Sequence, residues 1–362
     1  MKALVLSGGE GTRLRPFTYS MAKQLVPVAN KPVLVHCLEN LRNIGVKETG
    51  IVVGGHGAQI EEAIGDGSRF GMRITYLRQE APLGLAHCVT LAAEFLGDDE
   101  FVMYLGDNIL AEGIADAAAE FRRRRPAAQL LVTKVADPRQ YGVAEVDADG
   151  VVRALVEKPT EPRGDLAVIG AYFFTSAVHE ATRAIRPSAR GELEITDALQ
   201  YLIEGGWAVT AQEYDGYWKD TGKIDDLLEC NRVLLERLGT DGAGTADPMA
   251  AGEIDATTVV EGRVVVEPGA RVTGSHLTGP VVIGAGSVVR DCRIGPNVAV
   301  GRDCVLESAG IENSIVLEGA SITDVPELSG CVIGRWARVS AQDGGSHNRL
   351  IIGDHTQAEV PV

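Results

Sequence analysis

The sequence has no apolar run as long as a membrane-spanning helix, and its first residues lack the basic and apolar regions of a signal peptide. Basic residues are in the minority, with 34 Lys and Arg against 50 Asp and Glu, and the net charge of −16 argues against general affinity for nucleic acid or anionic membranes. The six cysteines show no C-x-x-C spacing, and the seven histidines form no ligand-spaced pair. We therefore expect a cytoplasmic protein with reduced thiols and no zinc.

The length of 362 residues favours two domains, with a core large enough for an enzyme. Apolar runs rich in Val, Ile and Leu alternate with helical periods, which favours an α/β domain with a mainly parallel sheet covered on both faces. Its ligand crevice is expected outside the carboxyl ends of the parallel strands. Strands are predicted over 2–7, 50–54, 72–77, 100–106, 128–135, 142–147, 151–156, 166–174 and 208–214. Helices are predicted over 32–44, 57–65, 84–96, 112–125, 176–185, 194–205 and 222–238.

The C-terminal part of the chain has a different period. Residues 239–257 are rich in Gly, Ala and Asp and are predicted to be a linker between a domain at 1–238 and one at 258–362. Val282, Val288, Ile294, Val300 and Leu306 recur at a spacing of six, which is typical of a triangular parallel β-helix. A run of short sandwich strands is the alternative, and the pattern becomes irregular after residue 306.

The chain opens with MKALVLSGGEGTRLRP, in which a predicted strand runs into three closely spaced glycines. Leu14 stands where a G-x-G-x-x-G fingerprint would need its third glycine, and the sequence of a Walker A loop is absent. What remains is a glycine turn whose amides can approach phosphates, followed by Arg13, which can hold phosphate oxygens. Lys23 is followed by the apolar Leu25 and Val26, where a half-buried ammonium needs an anion. A tight turn with surface cations is the alternative reading of the turn alone.

The combined pattern G-x-G-T-R-L-x-P…K-Q-L-x-P-V-x-x-K-P resembles the signature of the sugar-phosphate nucleotidyltransferases. Its Lys-Gln pair resembles that of the glucose-1-phosphate thymidylyltransferases. The resemblance extends over about residues 1–238 and implies a Rossmann-like nucleotidyltransferase domain in which Arg13 and Lys23 are catalytic. The nucleotide-binding residues that it implies in this part of the chain are Gly8, Gly9, Gly11, Thr12 and Gln24.

Two further segments resemble the nucleotide and metal site of this family. In RQEAPLGLAH (78–87), Gln79 would bind the pyrimidine edge and Gly84 would let the base approach the backbone. VMYLGDN (102–108) ends a strand with Asp107, and GYWKDTG (216–222) contains Asp220. The resemblance implies that these two carboxylates bind Mg²⁺ together with the nucleotide phosphates. Taken alone, each carboxylate could equally be a helix cap or a surface group.

The segments YGVAEVD, LVEKPTEP and AVIGAYFF are similar to the strands that bind the sugar in this family, and SARGELEITDAL matches another family segment. The implied roles are backbone contacts to the hexose from Gly142 and Val168, and hydroxyl contacts from Glu157. Lys158 and Arg190 would hold the phosphate of the sugar. Asn108 is also expected at the sugar-phosphate site.

The resemblance implies Mg²⁺-dependent thymidylyl transfer from dTTP to α-D-glucose 1-phosphate, with dTDP-glucose and pyrophosphate as products. The tail resembles the left-handed hexapeptide-repeat β-helix of long forms associated with deoxysugar and antibiotic biosynthesis. A homo-oligomer that binds neither nucleic acid nor membrane is expected.

Three alternatives remain open at this point. A uridylyltransferase would share the fold and the mechanism. In a bifunctional enzyme the β-helix would carry an acyltransferase, although neither His276 nor His347 lies in a recognisable acyl-CoA pattern. A non-catalytic nucleotide-sugar sensor would be expected to have lost Arg13 or the metal carboxylates.

Overall fold

A computed structural model of the chain describes residues 1–238, 252–342 and 349–361. Packing of the Cα atoms divides the chain into two compact units: Met1–Glu10 with Val33–Asp220, and Gly11–Pro32 with Thr221–Val362. This division differs from the predicted boundary at 238, because residues 11–32 and the helix after 221 pack with the C-terminal strands. Among the described residues, no helix is long and apolar enough to cross a membrane.

The helices and strands before residue 238 follow the predicted pattern closely. Four short strands were not predicted, because two or three residues are too few to show a period. They lie at Pro27–Val28, Lys31–Pro32, Asn108–Leu110 and Trp218–Asp220. In chain order the strands are β1 (Lys2–Ser7), β2 (Pro27–Val28), β3 (Lys31–Pro32), β4 (Glu48–Val53), β5 (Arg73–Arg78), β6 (Phe101–Leu105), β7 (Asn108–Leu110), β8 (Ala128–Lys134), β9 (Gly142–Val146), β10 (Val152–Glu157), β11 (Leu166–Phe174), β12 (Val209–Glu213) and β13 (Trp218–Asp220). The helices are α1 (Val33–Asn43), α2 (Gly57–Ile64), α3 (Leu85–Leu91), α4 (Ala93–Leu96), α5 (Ala115–Arg124), α6 (Val178–Ala184), α7 (Ile195–Glu204) and α8 (Ile224–Arg237).

The first unit contains a nine-stranded sheet with the order β10-β9-β11-β6-β1-β4-β5. Strand β8 also pairs with β11, and β12 pairs with β8. The neighbours β6, β1, β4 and β5 are parallel to one another, as predicted. Strands β9, β10 and β11 are antiparallel to their neighbours, so the sheet is mixed. Residues Ala3 to Ser7 of β1 are all buried, which is the pattern of a strand covered on both faces.

The parallel strands end at one edge of this sheet. Ser7, at the end of β1, pairs with Val53, at the end of β4, while Val53 also pairs with Arg78 of β5. The residues that follow these strand ends are therefore brought together, although they come from separate parts of the chain. This is the edge where the sequence predicts the ligand crevice.

The second unit is built around three parallel sheets of seven, five and six strands. Buried side chains repeat 17 positions apart along much of the stack, as in the pairs Val272 with Val289 and Cys292 with Ala309. The predicted hexapeptide β-helix is confirmed, with coils slightly shorter than three hexads. The strands are β14 (Glu253–Ile254), β15 (Val259–Glu261), β16 (Val264–Val266), β17 (Arg271–Thr273), β18 (His276–Thr278), β19 (Val281–Ile283), β20 (Val288–Arg290), β21 (Arg293–Ile294), β22 (Val298–Val300), β23 (Val305–Glu307), β24 (Gly310–Glu312), β25 (Ile315–Val316), β26 (Ser321–Thr323), β27 (Leu328–Ser329), β28 (Val332–Ile333), β29 (Arg338–Gln342), β30 (Ile351–Ile352) and β31 (Gln357–Pro361).

The beginning of the β-helix lies earlier than the sequence predicts. Strand β14 already pairs with β17 and falls inside the predicted linker. The rest of that linker, residues 239–251, lies outside the described residues, as does His347. His276 is on β18, where its Nε2 lies 3.5 Å from the Glu261 carboxylate.

Candidate active site

The glycine turn after β1 lies against the segment that follows β5. A Cβ added to Gly8 would lie 3.2 Å from Oε1 of Gln79, and a Cβ added to Gly54 would lie 2.5 Å from the carbonyl oxygen of Gly8. Gly54 must therefore be glycine, because a Cβ there would collide with the backbone, whereas a Cβ at Gly8 would press on the side-chain amide of Gln79. The structure thus brings together Gly8 and Gln79, which were predicted from separate motifs.

The side chain of Gln79 is held by a residue that sequence reasoning missed. The Gln79 amide Nε2 lies 2.9 Å from Nδ1 of His87 on α3. Gly84 precedes that helix with φ 103°, and an added Cβ would lie 2.3 Å from the carbonyl oxygen of Leu193. The backbone amide of Leu193 donates to the carbonyl of Leu83 at 2.8 Å. The segment from Gln79 to Gly84 is therefore fixed by α3 and by the chain before α7.

Asp107 follows β6 in a tightly packed turn. Its neighbour Gly106 lies so close to β1 that an added Cβ would be 2.4 Å from the Ser7 hydroxyl oxygen. The Asn108 side chain, only 3% exposed, donates through Nδ2 to the Asp107 carboxylate at 3.0 Å and accepts at 2.7 Å from the Trp218 indole N–H. Asn108 therefore orients the carboxylate of Asp107.

The two candidate metal carboxylates lie on one short antiparallel ladder. Asp220 at the end of β13 pairs in register with Asn108 at the start of β7, which places it one position from Asp107. The negative charge of Asp107 adds to burial in raising the pKa of the Cys37 thiol. No group of three or more His, Cys, Asp or Glu side chains suited to a metal ion occurs in the described ranges. Two carboxylates nevertheless fit Mg²⁺, which in nucleotide sites takes its remaining ligands from phosphates and water.

The residues predicted to bind the sugar converge around one backbone position. A Cβ added to Gly142 would lie 2.8 Å from Cγ2 of Thr196, 3.4 Å from Oε2 of Glu157 and 3.9 Å from Cβ of Val168. Gly142 and Glu157 pair directly across β9 and β10. The Thr196 hydroxyl donates to the Glu157 carboxylate at 3.2 Å. Three of the predicted sugar residues thus lie close together, along with Thr196, which was not predicted.

The two predicted phosphate-binding cations of this region contact the same carboxylate. Lys158 Nζ lies 3.3 Å and Arg190 Nη2 lies 3.4 Å from Oε1 of Glu157. Both side chains are about two-fifths exposed, so their charged ends remain accessible to an anion.

Arg190 is oriented by a buried acid. Its Nη2 donates at 2.7 Å to Glu194, whose side chain is 6% exposed and also accepts at 2.8 Å from the Ser188 hydroxyl. Desolvation opposes the charged guanidinium, but the hydrogen bond and charge of Glu194 outweigh it and raise the pKa of Arg190. Desolvation, followed by the charge of Glu194, raises the pKa of Asp197 one turn further along α7. Arg190 therefore stays cationic while surrounded by acids.

In the second unit, residues 11–32 form a compact segment around Gly11. Gly11 has φ 64°, and an added Cβ would lie 2.8 Å from Cβ of Lys23. The Thr18 hydroxyl donates to the carbonyl of Gly11 at 2.8 Å. Arg13 is exposed and Lys23 is half-buried. Gln24 is 1% exposed, and its Oε1 has no hydrogen-bond partner in the part of the chain that the structure describes.

The predicted site residues therefore form several groups. One contains Gly8 and Gln79, another Asp107, Asn108 and Asp220, and a third Glu157 with its neighbours. The remaining predicted residues, from Gly11 to Gln24, lie in the second unit. Gly9 is exposed beside Gly8 in the turn. Sequence reasoning missed the residues that orient these groups, namely His87, Thr196, Glu194 and Trp218, although each of them stands within or next to a motif that was quoted.

Comparison with known proteins identifies the family. The sequence profile of the nucleotidyl transferase family matches residues 2–237. The chain is 50% identical over 361 residues to the glucose-1-phosphate thymidylyltransferase of Streptomyces griseus, covering 99% of each chain. It is also 50% identical over 362 residues to the enzyme of that name from Streptomyces antibioticus, again with 99% of each chain covered.

A solved structure agrees with these relatives. The crystal structure of a Bacillus anthracis protein, described as a candidate glucose-1-phosphate thymidylyltransferase in complex with sucrose, superimposes with a TM-score of 0.61 at 35% identity. It covers 64% of this chain and 94% of its own. The resemblance inferred from the glycine turn and the Lys-Gln pair is confirmed: the chain belongs to the nucleotidyl transferase family, among the long glucose-1-phosphate thymidylyltransferases.

Proposed function

We propose that this enzyme transfers a thymidylyl group from dTTP to α-D-glucose 1-phosphate, giving dTDP-glucose and pyrophosphate. The observation that carries this proposal is the 50% identity to two thymidylyltransferases over nearly the full length of every chain. The convergence of Gly142, Glu157 and Val168 around one backbone position also supports it, because it brings together backbone groups and a carboxylate that could hold a hexose. We also propose a cytoplasmic homo-oligomer that supplies deoxysugar biosynthesis.

In this reaction a phosphate oxygen of the sugar phosphate attacks the α-phosphorus of the nucleotide, and the bond to pyrophosphate breaks. The nucleophile is already ionised at neutral pH, so no side chain has to remove a proton. The main obstacle is the repulsion between two anions that must be held in line. We assign the holding of the sugar phosphate to Lys158 and Arg190, because both cations contact Glu157, the residue that would accept hydrogen bonds from the sugar hydroxyls.

The nucleotide phosphates would be bound by backbone amides of the glycine turn and by the cations of segment 11–32. Arg13 is exposed in the first turn of this segment, and a guanidinium can bind phosphate oxygens through two parallel hydrogen bonds. Lys23 would share the charge that accumulates on the departing pyrophosphate. These local cations are needed because the protein as a whole carries a net charge of −16.

Base selection would rest on Gln79. Its Nε2 lies beside His87, which leaves Oε1, next to Gly8, to accept a hydrogen bond. Thymine and uracil both present a ring N3–H donor at this edge, whereas cytosine presents an acceptor. Gln79 therefore selects thymine or uracil against cytosine. It does not distinguish thymine from uracil, which differ by one methyl group, so the preference for dTTP must come from other contacts.

Asp107 and Asp220 would hold Mg²⁺. When bound there, the ion would neutralise negative charge on the nucleotide phosphates. Neighbouring side chains orient the first of these carboxylates. Asn108 donates a hydrogen bond of 3.0 Å to Asp107, and the Trp218 indole N–H donates to Asn108.

The proposal is tested by measuring pyrophosphate release with Mg²⁺ and glucose 1-phosphate, using dTTP, UTP, GTP and CTP in turn. Galactose 1-phosphate and glucosamine 1-phosphate serve as alternative acceptors, and an Asp220→Asn variant controls for contaminating activity. We expect clear preference for dTTP and glucose 1-phosphate, and loss of release in the variant. Preference for UTP would retain the mechanism but overturn the assignment of the Lys23-Gln24 pair to thymidylyl transfer. Absence of release with every pair of substrates would contradict catalysis itself.

A further inference from the structure

Segment 11–32, which carries Arg13 and Lys23, has little regular structure of its own. It contains 3-10 helices of three residues each, at Thr12–Leu14, Phe17–Tyr19 and Lys23–Leu25, followed by the two-residue strands β2 and β3. Elements of this length do not fix a conformation by their own hydrogen bonds. The geometry of the two cations must therefore depend on what the segment is attached to.

The first attachment joins the segment to the last coil of the β-helix. The Ser20 hydroxyl donates at 2.8 Å to Oδ2 of Asp354, whose side chain is only 2% exposed. The same carboxylate accepts from the backbone N–H of Arg335 at 2.8 Å and from its Nε at 2.7 Å. Arg335 in turn donates to the carbonyl of Ser20 at 3.3 Å. A half-buried ion pair of the β-helix thus binds both the side chain and the backbone of Ser20.

The second attachment lies on the other side of Lys23, at the turn between β2 and β3. Ala29 and Asn30 both have positive φ, 48° and 61°, which is the backbone of a type I′ hairpin turn. The N–H of Ala29 donates at 2.9 Å to Oδ1 of Asn231 on α8, a side chain that is 1% exposed. Nδ2 of the same Asn231 side chain donates to the carbonyl of Asn297 in the β-helix at 3.2 Å.

Further contacts strengthen this second attachment. Nδ2 of Asn30 donates to the carbonyl of Val300 at 2.6 Å. Ala29 also packs against an apolar cluster made by Leu235 of α8 and by Val282 and Ala299 of the β-helix. The turn is therefore held by polar and apolar contacts together.

We propose that the β-helix and α8 position the catalytic cations, and that Asp354 and Asn231 are the principal positioning residues for Arg13 and Lys23. This inference rests on the proposed function of the two cations. It gives the C-terminal domain a direct part in catalysis: the coils provide fixed hydrogen-bonding partners on either side of Lys23. A shift of about 1 Å in a positioning contact is enough to reduce turnover strongly.

The test is Ser20→Ala, which removes one hydroxyl from the segment and leaves the Asp354–Arg335 pair intact. Ser329→Ala is the matched control, because the Ser329 hydroxyl also donates at 2.8 Å to a carboxylate, that of Glu312, inside the β-helix. Two kinds of measurement are made on the full chain. Hydrogen exchange is followed for the backbone amides of residues 11–26, and steady-state kinetics give kcat and the KM for glucose 1-phosphate.

In Ser20→Ala we expect exchange in residues 11–26 to accelerate roughly tenfold or more, as for loss of a hydrogen bond to a charged acceptor. We expect kcat to fall about tenfold while the KM for glucose 1-phosphate changes less than twofold, because the sugar residues lie in the other unit. Ser329→Ala should change neither quantity. Adding Ser20→Ala to Asp354→Ala should reduce kcat no further, since Asp354→Ala already removes the acceptor of the Ser20 hydroxyl.

Unchanged exchange in Ser20→Ala would overturn the attachment. Faster exchange with an unchanged kcat would overturn the catalytic role, and equal losses in both serine variants would mean general destabilisation rather than positioning. If the wild-type protein released no pyrophosphate, the proposed function would fail, whereas hydrogen exchange would still decide whether the attachment exists.

Discussion

Substitution of Gly142 by alanine tests the sugar site most directly. The added Cβ would lie 2.8 Å from Cγ2 of Thr196, about 1 Å closer than carbon atoms pack without strain. Thr196 is 2% exposed on the first turn of α7, so it cannot simply turn into solvent. Either the methyl group remains in the space beside Glu157, or Thr196 moves and lengthens its 3.2 Å hydrogen bond to that carboxylate.

Both responses would weaken the binding of glucose 1-phosphate rather than the binding of the nucleotide. Overpacking of this kind costs on the order of 1–3 kcal/mol. If most of this cost falls on the complex, the KM for glucose 1-phosphate rises roughly 10- to 100-fold, since about 1.4 kcal/mol corresponds to each factor of ten. The part that falls on the folded protein lowers the melting temperature by a few degrees.

The assay is steady-state pyrophosphate release, varying glucose 1-phosphate and the nucleotide separately, with thermal unfolding of each variant. Gly164→Ala is the matched control, because its added Cβ would meet nothing closer than the Ala144 carbonyl oxygen at 4.0 Å. An unchanged KM for the sugar phosphate in a folded Gly142→Ala protein would refute the assignment. A rise confined to the KM for the nucleotide would indicate that β9 and β10 bind the nucleotide instead of the sugar.

Three further outcomes are expected. Arg13→Ala should retain binding of glucose 1-phosphate by calorimetry and lose about a hundredfold in activity; abolished sugar binding would contradict its assignment to the nucleotide. Burial raises the pKa of the Cys88 thiol to about 12, so its thiolate fraction at pH 8 is about one in ten thousand, and Ellman's reagent should label it only after denaturation. The hydroxyls of Thr257 and Thr258 lower the pKa of Asp255 to about 2, so this group's contribution to stability is present above about pH 4 and is lost as the pH falls towards 2. NMR titration of Thr257→Ala should find that pKa higher, and an unchanged value would contradict the hydrogen bonds.

The alternation of apolar runs and helical periods was enough to predict the order of elements in the first 238 residues. Buried parallel strands such as β1 and β4 are continuous apolar runs, and such runs can be recognised in the amino-acid sequence alone. Strands β7 and β13 were not predicted, because three residues are too few to show a period. These short strands nevertheless bring Asp220 next to Asp107. Pairing between residues so far apart in the chain is decided by the fold.

The residue types of the candidate site could be predicted from the sequence. The residues that orient these side chains could not. Glycines, cations and carboxylates in spaced motifs identified the chemistry. Thr196, Glu194 and His87 stand near those motifs, but only packing shows that they orient Glu157, Arg190 and Gln79. A hydrogen bond depends on distance and direction, and neither quantity is contained in the spacing of residues along the chain.

The sequence by itself determined the family, the two kinds of architecture and most of the candidate site, because local periodicity and close backbone approaches require particular residue types. Only the tertiary structure decided that residues 11–32 pack with the β-helix, through Ser20 and Asn30. The partners of these two residues lie about 300 positions away in the chain, at Asp354 and Val300. Contacts over such separations arise from the way the coils stack and the segment folds back on them, and no local pattern records that geometry.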